Sequence, residues 1–149
     1  MRKHRNLSLI LSGVLALVFP LCAGADCYDD AARYQGLNAG VFRAIAIREN
    51  STCANVKRVN KDGSTDTGCM QINSVHYGEL SRFGISPNDL LDKCKNVYVA
   101  AWHYRTMIQK YGDTWQAVGA YKSKTPEIRD QYAREVYEIW LRYDLNQIQ

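Results

Sequence analysis

Asp62-Gly63-Ser64-Thr65-Asp66-Thr67-Gly68-Cys69-Met70-Gln71-Ile72-Asn73 breaks the texture of a chain that is otherwise helical in its periodicity. Turn formers crowd from Asn60 to Gly68, Asp62-Gly63 is a common hairpin dipeptide, and Met70 to Asn73 follow as a short run. The segment reads as a small hairpin or irregular sheet. Upstream, helices are expected over Tyr28 to Tyr34, broken by Gly36, and over Ala39 to Glu49 with Asn38 as N-cap. Downstream, helical spacing covers Val75 to Arg82, Asn88 to Asp92, Val97 to Lys110, Trp115 to Tyr121 and Glu127 to Tyr143. On the last of these Tyr132, Val136, Ile139, Trp140 and Tyr143 share a face and read as core packing. The predicted class is α+β, mainly helical, as one domain with one small β element.

The first 25 residues stand apart. Arg2, Lys3 and Arg5 precede an uncharged run from Leu7 to Cys22, and Ala23-Gly24-Ala25 supplies small residues for cleavage. This is the layout of a secretory leader, leaving a mature chain from Asp26 to Gln149. A retained membrane anchor is the competing reading. Removing three of the 19 basic residues leaves 16 against 15 acidic ones, a nearly neutral domain with no basic stripe for nucleic acid. Cleavage also removes Cys22 and leaves four cysteines, Cys27, Cys53, Cys69 and Cys94. An even number in an exported chain reads as two disulfides, with three connectivities open. A zinc site competes, but no C-x-x-C or H-x-x-H pair is present. No metal or organic cofactor is expected.

Glu49 ends a helix on which Phe42, Ile45 and Ala46 stand at i−7, i−4 and i−3, all on its own face. A carboxyl at the end of an apolar stripe is partly desolvated, which disfavours its ionised form, as a general acid requires. The alternative is a side chain curling outward at a frayed end. Asp66 lies among hydroxyls and amides, where a carboxylate stays ionised, so the two acids could divide roles across a glycosidic bond. Its alternative is a turn-capping role, the reading that fits Asp62 best.

The stretch from Asp62 to Ser74 resembles the active-site hairpin of animal c-type lysozymes, and the 17-residue spacing from Glu49 to Asp66 is also theirs. The rest of the chain is similar to small lytic transglycosylases of the lysozyme superfamily that serve type III and type IV secretion systems. Phe42 to Glu49 resembles the helix bearing that family's catalytic Glu. Gly68-Cys69-Met70-Gln71-Ile72-Asn73 resembles its glycine-to-glutamine motif, and Trp115-Gln116-Ala117-Val118-Gly119-Ala120-Tyr121 its Ala-Tyr motif. Together with Cys94-Lys95-Asn96-Val97 the likeness covers nearly all of residues 27 to 123.

The resemblance implies a lysozyme-like fold and a periplasmic enzyme that cuts peptidoglycan glycan strands beside a secretion-system component. It implies a monomer that stays out of the membrane once its leader is gone. Glu49 would be acid and base, Asp66 an electrostatic stabiliser or nucleophile, and Gln71, Tyr121, Asn50 and Asn73 substrate contacts; without the resemblance Gln71 reads as a hairpin backbone contact and Tyr121 as a core tyrosine, and Asn50 can donate to substrate or to backbone. It also pairs Cys27 with Cys94, which leaves Cys53 with Cys69; closing that loop of about 17 residues would contribute roughly 3 kcal/mol. The sequence departs from the family at Asn50, where Ser is usual, at Lys122-Ser123-Lys124, where Asn-Ala-Gly is usual, and in having Asp66 at all. A lysozyme-type hydrolase and an idle wall-binding scaffold are the rival readings.

Overall fold

In the computed structural model, residues 26–50, 53–54 and 56–147 are described, with side chains as far as Tyr143. The expected leader lies outside the described residues. Asp26 caps the first helix, α1 (Cys27–Gln35), by accepting from the amides of Tyr28 and Asp29, and left-handed Gly36 ends it. The second, α2 (Ala39–Asn50), starts where Asn38 Oδ1 accepts from Val41 N at 3.0 Å. Both ends obey the local capping signals in the sequence.

The small β element is a three-stranded antiparallel sheet in the order β1 (Lys57–Val59), β2 (Thr65–Thr67), β3 (Ile72–Asn73). The expected hairpin therefore gains a strand on its upstream side. Asp66 sits in the middle strand, opposite Arg58 on one side and Asn73 on the other. Asp62 closes the β1–β2 turn by accepting from Ser64 N at 3.0 Å, and Gly63 supplies the positive φ.

The helix expected over Val75 to Arg82 divides into a 3₁₀ turn (Ser74–His76) and a short α3 (Tyr77–Ser81). Asn88 to Asp92 forms only a 3₁₀ turn, Asp89–Leu91. The long α4 (Lys93–Tyr111) starts earlier than the apolar periodicity does, because Asp92 caps it through Lys95 N. Then α5 (Trp115–Lys122), capped by Thr114, packs along α6 (Pro126–Gln147). The two backbones touch at Gly119, where a Cβ would lie 2.2 Å from the Arg129 carbonyl oxygen.

The core runs through Phe42 and Ile45 of α2, Val97, Ala100 and Tyr104 of α4, Val118 of α5, and Tyr132 and Val136 of α6. Sγ atoms of Cys27 and Cys94 meet at the α1–α4 contact, and those of Cys53 and Cys69 meet between the segment after α2 and the turn after β2. This is the pairing implied by the resemblance. Among the described residues, no helix is long and apolar enough to cross a membrane.

Candidate active site

Glu49 points inward, its side chain only 4% exposed, because the last turn of α2 is fixed to α6. Arg48 pairs with Glu135 and holds its guanidinium 5.5 Å from the centre of the Tyr132 ring. That ring delivers a hydroxyl to the carboxyl: Tyr132 Oη donates to Glu49 Oε1 at 2.6 Å. Burial, together with the charge of Glu49, raises the Tyr132 phenol well above its ordinary value, so it remains a donor. The other oxygen, Glu49 Oε2, lies 3.8 Å from Lys122 Nζ at the end of α5.

Asp66 is also enclosed, the residue as a whole 9% exposed, and accepts from Asn73 Nδ2 at 2.8 Å across the β2–β3 ladder. Tyr121 lies near both acids. Burial pushes its phenol up, with the charges of Glu49 and Asp66 acting in the same direction. Its hydroxyl donates to Met70 O at 3.0 Å and so pins the turn beyond β2 to α5. In that turn Gln71 has φ of 51°, a left-handed conformation costly for a side chain of its kind, and donates from Nε2 to Gly68 O at 2.7 Å.

Glu49, Asp66, Gln71, Asn73 and Tyr121 all border one groove of about 790 Å³. Asn50 does not border it; its Nδ2 donates to Ala54 O at 3.1 Å. Asn73 is already engaged in structure, since Nδ2 also reaches Ser64 Oγ and Oδ1 accepts from Val75 N. Among the described residues, no group of three or more His, Cys, Asp and Glu side chains could hold a metal ion.

Four neighbours of the site carry little or no signal of that place in the sequence. Tyr132 packs in the core, as its stripe predicts, but the stripe gives no hint of a partner 83 residues away. His76 and His103 lie ring to ring, 4.5 Å between centroids, on the groove wall. Burial holds His103 down to about 4, and its Nε2 donates to Tyr121 O at 3.2 Å. Asn96, fully buried, accepts from Met70 N at 2.7 Å and donates to Thr67 O and Leu90 O at 2.9 and 3.0 Å. It packs so tightly on Gly68 that a Cβ there would lie 2.3 Å from Asn96 Nδ2. The Cys-x-Asn-Val segment was the one available signal for that residue.

The family model described as "Transglycosylase SLT domain" matches residues 26–137. This chain belongs to the SLT family. Among similar members, "Invasion protein IagB" of Salmonella typhimurium is 40% identical over 121 residues, 78% of this chain and 76% of that protein. "X polypeptide" of Escherichia coli is 35% identical over 138 residues, covering 88% and 82%. "Protein IpgF" of Shigella flexneri is 34% identical over 134 residues, covering 87% and 88%. The SLT family is the one that the segments around Glu49, Gly68 to Asn73 and Tyr121 pointed to.

Proposed function

We propose that this protein is a peptidoglycan lytic transglycosylase with Glu49 as acid and base. The observation that carries the reading is a nearly buried carboxyl, held by Tyr132, opening onto the groove that also holds Asp66. Glu49 gives its proton to the oxygen bridging N-acetylmuramic acid and N-acetylglucosamine as the muramyl C1–O bond breaks, releasing the 4-hydroxyl of the glucosamine. Positive charge spreads over C1 and the ring oxygen, and the Asp66 carboxylate stabilises it. The Glu49 carboxylate then takes the proton of the muramyl 6-hydroxyl as O6 bonds to C1, closing a 1,6-anhydro ring without consuming water. Gln71 and Tyr121 keep the groove floor in shape for the sugar.

Residues 1–25 export the chain to the periplasm and are removed there. Resemblance to secretion-associated transglycosylases, and similarity to a protein named for invasion, support a role in opening the wall where a secretion system crosses it.

Mass spectrometry of muropeptides released by the purified protein tests bond and outcome together. Anhydro-muramyl ends are expected. Ordinary reducing ends would make it a muramidase, and cleavage that persists in Glu49→Gln would remove Glu49 from the chemistry. No release by the folded wild type would leave the scaffold reading.

A further inference from the structure

The two walls of the groove carry opposite charge. The sheet side presents Asp62 and Asp66, and Asp62 is held ionised by its hydrogen bonds to Ser64. The facing side, where α5 runs out toward α6, presents Lys122 and Lys124, both exposed. Lys122 reaches Glu49 only at 3.8 Å, a loose contact that leaves its ammonium free to take a second anion. Lys124 forms no ion pair with any described carboxylate. It lines the same groove as His76 and His103, and its charge adds to the burial that disfavours protonation of both rings.

Two unsaturated cations beside a catalytic carboxyl call for an anion on the substrate. We infer that Lys122 and Lys124 form a carboxylate-binding edge that engages the acidic substituent carried by the muramyl ring undergoing cleavage, and so set which face of the glycan strand enters the groove. This rests on the transglycosylase reading. Lys122 adjoins Glu49, and so would lie beside the ring whose bridging oxygen Glu49 protonates. Lys124, two residues on, extends the edge outward. The carboxylate has two sources: the lactyl group itself in a strand stripped of peptide, or the acidic residues of an attached stem peptide. The acidic opposite wall would repel either one, which makes the orientation one-sided.

The test is binding, read separately from cleavage. Labelled glycan strands are prepared in two charged forms, with stems intact and with stems removed by an amidase, and each is matched by a neutral form whose carboxylates are coupled to methylamine. Dissociation constants are measured on the full exported protein in the Glu49→Gln background, with and without Lys122→Gln and Lys124→Gln together. At least one charged form should bind about tenfold more tightly than its neutral match, as two exposed charge contacts of moderate strength would give. The double substitution should reduce that ratio below about twofold, with circular dichroism unchanged. Preference within the amidase-treated pair identifies the lactyl carboxylate, and preference confined to the intact pair identifies the stem. Equal binding of charged and neutral strands, or a preference that survives the double substitution, overturns the inference. Absence of cleavage by wild type would instead refute the proposed function while leaving this binding result to stand or fall alone.

Discussion

Replacing Asn96 by alanine removes three hydrogen bonds from the interior at once. Met70 N loses its acceptor, and the carbonyls of Thr67 and Leu90 each lose a donor, in a place with no exposure to water. A buried polar group left without a partner costs about 1–3 kcal/mol. The N–H has no second option and is assigned about 2 kcal/mol, while the more tolerant carbonyls take about 1 kcal/mol each. The sum, about 4 kcal/mol, is a large part of the roughly 5–15 kcal/mol that stabilises a domain of this size. A fall in Tm of roughly 15 °C follows. Urea unfolding of the oxidised protein, followed by tryptophan fluorescence, measures it. Asn96→Asp is the informative control: it keeps the acceptor for Met70 N but sets an oxygen against two carbonyl oxygens, and should be no better than alanine. Cleavage should drop even far below the unfolding midpoint, since Met70 O receives the Tyr121 hydroxyl and Gln71 is the next residue. A loss below about 1 kcal/mol with an unchanged m-value would refute the assignment of Asn96 as the clamp of this turn.

Tyr132→Phe deletes the hydroxyl on Glu49 and keeps the ring stacked 6.4 Å from Tyr121; a bond to a charged group is worth about 1.5–3 kcal/mol, so kcat should fall roughly 10- to 100-fold with KM little changed. A loss under about threefold would detach Tyr132 from the reaction. Asp66→Asn should weaken cleavage more mildly than Glu49→Gln, with Tm recorded alongside; equal activity to wild type would assign Asp66 to the sheet alone. His103 makes stability pH-dependent: its folded value, about 4, lies below the ordinary 6.5, so the fold favours the neutral ring. That contribution is complete above pH 6.5 and is lost as the pH falls toward 4, a change of about 2–3 kcal/mol, with His76 shifted in the same direction. Urea midpoints between pH 7.5 and 4 should fall less steeply in His103→Gln, and parallel curves would contradict the assignment.

What could be read in the sequence was local. Asn38 announces the start of α2, Asp62-Gly63 the β1–β2 turn, and the i−7, i−4, i−3 pattern places Glu49 on a buried face, because each signal lies within a few residues of its effect. What escaped was set by chain crossing. Tyr132 sits on an ordinary apolar stripe and gains its meaning only when α6 docks on α2. His103 and Tyr121 meet because α4 and α5 pack together. The start of α4 escaped for a different reason: its first three residues are exposed, and cap and bridge rather than apolar spacing hold them. For Asn50 the sequence leaves substrate and backbone open as acceptors; the helix turns consecutive side chains about 100° apart, and its amide donates to the backbone at Ala54.

The bridge between Cys53 and Cys69 spans 16 residues and joins the segment just past Glu49 to the turn just past Asp66. It ties the supports of the two acids to one another. In a still reduced chain that tie would be absent, so oxidation is what would hold the two carboxyls in register. Cleavage rates measured with and without dithiothreitol, on protein shown to stay folded in both, would read that dependence directly.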